Sequence, residues 1–104
     1  AIKWYKLSAE QNNSTAQNNL GYIYFNGIGI ESDYCKAIKW YKLSAEQNNS
    51  SAQYNLGCMY HDGLGVEEDY IQAYKWFKLS AEQNDEDSNK RLDSSITAIV
   101  NPLH

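Results

Sequence analysis

Several residue types that mark functional sites are scarce in this sequence. It contains two cysteines, two histidines and one proline, and it has no apolar run long enough to span a bilayer. So few cysteine and histidine side chains argue against a zinc centre or a disulfide framework. The one proline, Pro102, lies near the end of the chain, so it ends the last helix and interrupts no repeat.

Positive charge is also limited. Nine lysines and arginines stand against thirteen acidic residues, which gives a net charge of −4, and the lysines are scattered along the chain. Nucleic acid and anionic membranes are therefore disfavoured as partners. The chain begins within a repeat at Ala1, without an initiating methionine, so we expect it to be a piece of a longer protein. Its compartment is not identified, although two unpaired thiols fit a reducing one such as the cytoplasm.

An internal repeat is the dominant feature of what is present. Residues 37–72 repeat residues 1–36 with only 11 of 36 positions different, and a third copy begins at Ala73 as AYKWFKLSAEQN. Fixed periods of this size indicate units that stack and bury their apolar faces on one another. The sequence therefore predicts a repeat array and argues against a catalytic domain.

The first helix of each unit, helix A, is predicted from apolar residues at helical spacing. In the first full unit these are Ala16, Leu20, Ile23 and Tyr24. Ser14 and Gln17 have the spacing of a capping box, so we expect the helix to begin at Ser14, and the same pair recurs 36 residues later. Gly27 and Gly63 can adopt positive φ and are expected to end the two copies of helix A.

The second helix, helix B, is predicted to begin after Asp33 and after Asp69, which are suitable N-caps. Its apolar positions in the first full unit are Tyr34, Ala37, Ile38, Trp40, Tyr41 and Ala45. Asn12, Asn48 and Asn84 are expected to end helix B, because asparagine tolerates the left-handed conformation. Each unit is thus a helical hairpin.

These boundaries predict the organisation of the whole chain. Residues 1–12 form helix B of a partial repeat, residues 13–48 and 49–84 form two full repeats, and residues 85–104 form a C-terminal capping helix and tail. The last segment lacks the double-glycine turn, and its apolar residues keep helical spacing. It caps the stack, or it docks against another chain.

The repeat resembles a known family. Residues 20–47 and 56–83 both match L-G-x-x-Y-x-x-G-x-G-[IV]-x-x-D-Y-x-x-A-x-x-W-[YF]-x-x-x-A-E-Q, which is very similar to the Sel1-like repeat. The resemblance implies an all-α, right-handed α-solenoid that acts as an adaptor or scaffold, with helices A on the concave side. The sequence departs from the family in two places. Serine (Ser8, Ser44, Ser80) replaces the usual alanine, and asparagine replaces the glycine after A-E-Q.

Positions that differ between the two full copies form one stripe on helix A. The pairs at 15, 18, 22, 25 and 26 recur at helical spacing, on the side opposite the residues that both copies share. We expect this stripe to form a groove for a protein or peptide partner, although ordinary drift on a solvated surface would give the same pattern. The candidate binding residues are Asn18, Tyr22, Phe25, Tyr54, Cys58 and His61.

The motif K-W-[YF]-K, which contains Trp4, Trp40 and Trp76, has two interpretations. Lysines around paired aromatics suggest a stacking platform for nucleic acid bases. Consecutive helical positions point in different directions, however, so we expect the aromatics to pack in the core under the lysine stems. The first unit has no helix A, which leaves Trp4 uncovered. We therefore expect fraying or self-association at that end.

No residues have the arrangement that catalysis or a cofactor requires, so we expect a protein that is not an enzyme and has no cofactor. Cys58, His61 and Asp62 offer three possible metal ligands, but structural zinc normally requires four, so no metal is predicted. Cys35 and Cys58 are expected to be free thiols, with a disulfide between adjacent helices as the alternative. Two function classes remain: a protein-binding scaffold, and a regulatory or targeting segment of a larger enzyme.

Overall fold

The computed structural model describes residues 2–83 and 86–100 of the chain. Within them the backbone is helical, without strands, which confirms the all-α prediction. The helices are α1 (Ile2–Glu10), α2 (Ser14–Asn26), α3 (Tyr34–Glu46), α4 (Ser50–Asp62), α5 (Tyr70–Ala81) and α6 (Glu86–Val100). Helices α2 and α4 are copies of helix A, and α1, α3 and α5 are copies of helix B.

Each helix packs mainly against the helices next to it in sequence. Contacts run from α1 to α2, from α2 to α3 and onwards to α6, and only a small contact joins α4 to α6. The Cα positions extend over 43 × 27 × 17 Å. This arrangement is the α-solenoid expected of stacked helical hairpins.

The start of helix A differs from the sequence prediction. The N-cap is Asn13, whose side chain accepts a hydrogen bond from the Ala16 amide at 3.0 Å, and Ser14 is already helical. Gln17 does not close a capping box, because its buried side-chain amide donates instead to the Ala9 carbonyl in α1 at 3.1 Å. The predicted capping box is therefore wrong. The glutamine joins one repeat to the next.

The other predicted helix ends are confirmed within the described residues. Asp33 caps α3 by accepting from the Lys36 amide at 3.1 Å, and Asp69 caps α5 in the same way. Glycines 27 and 63 end helix A with φ of 67°. Asn12 and Asn48 both have φ of 68° after helix B. Asn84 lies outside the described residues.

The core contains the residues that the two repeats share. Leu20, Leu56 and Ala37 are 0% exposed, and Tyr41 is 2% exposed. Trp40 and Trp76 are half-buried against this core, as predicted, whereas Trp4 is 65% exposed.

Two glycines on helix A receive aromatic rings from helix B. A Cβ atom on Gly21 would lie 2.7 Å from Cδ1 of Tyr41, and one on Gly57 would lie 2.7 Å from Cε1 of Phe77. Carbon atoms do not approach so closely without displacement, so each ring is seated against helix backbone. This contact fixes the position of Tyr41, which matters for the site described below.

A row of amide side chains connects the repeats where helix B ends. Gln47 donates to Gln17 Oε1 at 2.7 Å, and Gln83 donates to Gln53 Oε1 at 2.9 Å. The asparagine that replaces the family's glycine joins this row, because Asn48 Oδ1 accepts from Gln53 at 3.2 Å and from Gln83 at 3.3 Å.

The serine that replaces the family's alanine also makes a contact between helices. Ser44 Oγ donates to the Ser14 carbonyl at 2.6 Å, and Ser80 Oγ donates to the Ser50 carbonyl at 2.8 Å. Both serines are fully buried. Both types of departure from the family pattern thus make hydrogen bonds between helices, at Ser44 and Ser80 and at Asn48.

Helix α6 packs on α5, as a terminal helix of the stack should. Its apolar side is only partly covered, since Ile96 is 43% exposed, Ile99 38% and Val100 72%. The two alternatives for this segment, a cap for the stack or a helix that docks against another chain, therefore both stay predictions.

Candidate partner-binding groove

Three of the six predicted site residues line one groove. Its walls come from helix A of successive repeats, and its floor comes from helix B between them. We call it the α2–α4 groove; its volume is about 170 Å³, and its lining residues are Tyr22, Phe25, Asn26, Tyr41, Asn55 and Cys58. The structure therefore brings Tyr22, Phe25 and Cys58 together, although they are up to 36 residues apart in sequence.

Hydrogen bonds orient the asparagines of the α2–α4 groove. Asn55 Nδ2 donates to Oδ1 of Asn18, a fourth predicted site residue, at 3.2 Å. Asn26 Nδ2 donates to the Tyr22 carbonyl at 3.0 Å. With their amide nitrogens engaged in this way, Asn26 and Asn55 have their Oδ1 atoms as acceptors.

The remaining two predicted residues, Tyr54 and His61, belong to the next repeat and do not line this groove. The Tyr54 ring packs on Phe77, with centroids 5.8 Å apart. The His61 ring packs edge-on against Tyr70 at 5.1 Å, and its Nδ1 lies 2.9 Å from Asp62 Oδ1. Four of the six predicted residues thus line the α2–α4 groove or bond to its lining, and the other two pack on rings outside it.

An arginine from α6 fills the equivalent space one repeat further along. Arg91 lies 36 residues after Asn55. Its guanidinium carbon is 5.5 Å from the centroid of the Phe77 ring, and its Nη2 is 3.7 Å from Asp62 Oδ2. Arg91 Nε is buried without a hydrogen-bond partner.

Burial keeps the ionisable groups at the base of the α2–α4 groove neutral. It raises the pKa of the Tyr41 phenol, and the nearby Tyr22 and Cys58 add to this rise. Burial also raises the pKa of the Cys58 thiol, while the Arg91 guanidinium opposes part of the increase. Both groups are therefore protonated near pH 7, so the groove presents no thiolate or phenolate nucleophile.

Sequence reasoning missed three residues that line this groove, Asn26, Tyr41 and Asn55. Asn26 was on the variable stripe but was not among the candidate binding residues. Asn55 is identical in the first repeat, so it was not on the variable stripe. Tyr41 was assigned to the core, where its ring indeed packs, but one side of the residue also lines the groove. Its replacement by Phe77 in the third copy was the available signal.

The thiols and the possible metal ligands are not assembled into sites. Cys35 is exposed, with its Sγ 3.9 Å from the Gly65 carbonyl, and it is not bonded to Cys58. In the part of the chain that the structure describes, no three His, Cys, Asp or Glu side chains group as metal ligands. None of the described helices combines the length and apolar character needed to cross a bilayer.

The fold and the α2–α4 groove define a class of protein, the α-solenoid of helical-hairpin repeats. The family model for the Sel1 repeat matches residues 1–13, 14–49 and 50–85, so the chain belongs to the Sel1 repeat family. Sel1 repeats generally serve as protein–protein interaction modules, and the scaffolds that they form are typically non-catalytic.

Solved structures agree with this assignment. A Sel1 repeat protein from Oxalobacter formigenes is 35% identical with a TM-score of 0.84, over 88% of this chain and 37% of that one. A protective antigen of uropathogenic Escherichia coli strains that displays an SLR fold is 36% identical with a TM-score of 0.90, over 92% of this chain and 21% of that one. This chain therefore spans well under half the length of either protein. A search of curated proteins found no match.

Proposed function

We propose that this chain is a non-catalytic scaffold module whose helix A face binds a peptide segment of another protein. The observation that carries the proposal is a difference in location between the residues that the two full copies share and the residues that differ between them. Shared residues such as Leu20 and Leu56 are buried in the stack, whereas four of the six residues that line the α2–α4 groove differ between the two full copies. A surface that varies while its scaffold stays constant is what partner selection requires.

The chemistry of the groove supports a protein partner. Tyr22 is 54% exposed, and Phe25 stands beside it against the Tyr34 ring at a centroid distance of 5.1 Å. Exposed aromatic residues next to a concavity are enriched at protein interfaces. The chain's net charge of −4 disfavours nucleic acid and anionic lipid.

The test uses a partner recovered with the full-length parent protein. Tyr22→Ala should weaken its binding about tenfold or more, because truncation of an aromatic anchor typically costs at least about 1 to 2 kcal/mol. Leu43→Ala is the matched control, since Leu43 is 38% exposed but lies on helix B. Tyr54→Ala should have a smaller effect on binding and some effect on stability, because Tyr54 packs on Phe77. Unchanged affinity in Tyr22→Ala would reject the α2–α4 groove as the binding surface.

A second candidate is a regulatory or targeting segment of a larger enzyme. The chemistry of the residues in this chain fits both classes. Sequencing the regions that flank these residues in the parent gene discriminates between the two. A catalytic domain there favours the enzyme segment, and further repeats favour the scaffold.

We also propose that the 104-residue chain self-associates through α1. Trp4 is 65% exposed and Leu7 is 59% exposed on this helix. Neighbouring apolar side chains of this size promote association when nothing covers them. Analytical ultracentrifugation over a range of concentrations should detect a dimer that Trp4→Ser and Leu7→Ser abolish. A monomer at every concentration would reject the idea.

A further inference from the structure

We propose that the α2–α4 groove binds an arginine side chain of the partner. This inference rests on the proposed function and specifies the chemistry of the ligand. The template lies within the chain, because the repeat places an equivalent groove one unit further along, and that groove already holds the guanidinium of Arg91.

Equivalent residues line the two grooves. Around Arg91 these are Phe77, whose ring centroid is 5.5 Å from the guanidinium carbon, and Asp62, whose carboxylate is 3.7 Å from Nη2. The third is Cys58, where burial raises the thiol pKa and the guanidinium opposes part of the rise. Thirty-six residues earlier, their counterparts are Tyr41, Asn26 and Tyr22, which all line the α2–α4 groove. The repeat positions that hold a guanidinium in one groove therefore recur in the other, where an aromatic ring is kept and the Asn26 amide replaces the Asp62 carboxylate.

The difference between the grooves is the residue that fills them. Asn55 stands at the repeat position of Arg91, and its short side chain is turned to Asn18. The space that remains is about 170 Å³. That volume corresponds to about six water molecules at about 30 Å³ each, enough for a planar guanidinium and part of its stem.

The groove also matches a guanidinium in its polar chemistry. Asn26 and Asn55 have Oδ1 acceptors, and the Tyr22 hydroxyl adds a third oxygen. The Tyr41 ring can attract a cation by its face, as the Phe77 ring does. None of the six lining residues is cationic, and the chain carries a net charge of −4. A forked group with several N–H donors fits these acceptors better than an ammonium does.

The experiment titrates the 104-residue chain with three short peptides, acetyl-Gly-Gly-X-Gly-Gly-amide, in which X is arginine, citrulline or lysine. Citrulline keeps the shape of arginine without its charge, and lysine keeps the charge without the planar, forked set of N–H donors. The arginine peptide should shift the side-chain amide resonances of Asn26 and Asn55 and slow the alkylation of Cys58. It should bind at least about fivefold more tightly than the other two, as a cation–π contact and a forked hydrogen bond require.

Three variants make the test specific. Asn55→Arg copies Arg91 and fills the groove from within, so it should abolish binding of the arginine peptide. Asn26→Asp copies Asp62 and should strengthen binding about fivefold. Asn19→Arg is the matched control, because Asn19 holds the same repeat position one unit earlier and lies outside this groove. It adds the same charge and should leave binding within about twofold.

Several results would overturn the inference. One is equal affinity of the arginine and citrulline peptides, and another is no detectable binding of any of the three peptides. The third is unchanged affinity of the arginine peptide for the Asn55→Arg variant, provided that the helical content of the variant shows that it folds. The proposed function fails separately. Suppose that a partner loses affinity for the Tyr22→Ala variant but keeps its affinity for the parent chain when its arginines are replaced by citrulline. The scaffold proposal would then stand, and the proposal of a guanidinium ligand would be rejected.

Discussion

At the scale of single residues, the two helix A glycines show how stacking constrains this sequence. Gly21 and Gly57 lie inside helices, where glycine costs about 0.5 to 1 kcal/mol relative to alanine. Each faces a buried aromatic ring at a distance that leaves no room for a methyl group. Close approach of the ring therefore outweighs helix propensity, and the same contact holds Tyr41 at the floor of the α2–α4 groove.

Gly21→Ala should lower the free energy of unfolding by about 1 to 2 kcal/mol. Overpacking costs about 1 to 3 kcal/mol, and the gain in helix propensity offsets about 0.5 to 1 kcal/mol of it. Urea titration measures the change as a lower midpoint at constant slope. Thr15→Ala, on the exposed side of the same helix, is the control and should change stability by less than about 0.5 kcal/mol. A Gly21→Ala protein as stable as the parent would show that the Tyr41 ring can move aside.

At the scale of helices and turns, the ends of helix B combine a backbone requirement with a hydrogen-bonding one. Asn48 has positive φ, which glycine tolerates best, yet its side chain also accepts from Gln53 and Gln83. Asparagine is the residue that satisfies both needs, since it tolerates the left-handed conformation and carries an acceptor. The first unit repeats the arrangement, with Asn12 accepting from Gln47 at 3.2 Å.

Two substitutions at Asn48 separate these contributions. Asn48→Ala should destabilise the chain by about 2 kcal/mol, because it adds left-handed strain and removes the acceptor. Asn48→Gly removes only the acceptor and relieves the strain, so its cost should be less than half as large. Thermal and urea unfolding of both variants measure the difference. Equal losses would mean that the hydrogen bonds, and not the backbone conformation, select asparagine here.

At the scale of the whole molecule, stability is a sum of contacts between neighbouring helices. Helices α3 and α4 are packed on both sides, whereas among the described helices α1 is packed on α2 alone. Only Ala9 of α1 is buried. In such a linear array, opening at an end breaks one interface and opening in the middle breaks two.

Hydrogen exchange should therefore be graded along the chain. The amides of α1 should exchange fastest, with a free energy of opening below the global value, and those of α3 and α4 should be the most protected. Native-state exchange at two protein concentrations is the measurement. Protection of α1 that rises with concentration would support self-association through Trp4 and Leu7. Protection of α1 equal to that of α4 in a dilute monomer would contradict the linear description.

Most of the fold could be predicted because it depends on local rules. The helical spacing of apolar residues, the Asp33 and Asp69 caps and the positive φ of Gly27 and Asn48 each involve a few consecutive residues, and the repeat shows that the same rules apply twice. The capping box failed because Gln17 had two possible partners. One lay within its own helix and the other was the Ala9 carbonyl, eight residues away in α1. The spacing of residues within one helix does not show whether Gln17 bonds inside that helix or to the preceding helix B.

The sequence by itself determined that this chain is a stack of helical hairpins of the Sel1 type, and which side of each helix is buried. Only the tertiary structure decided which residues meet across repeats: that Tyr22, Phe25 and Cys58 line one groove while Tyr54 and His61 contact other rings, and that Arg91 fills the equivalent space. The physical reason is that helical periodicity specifies the direction of a side chain around its own axis. Its neighbours depend on how adjacent helices are spaced and rotated, and here the rings seated on Gly21 and Gly57 help to set that packing.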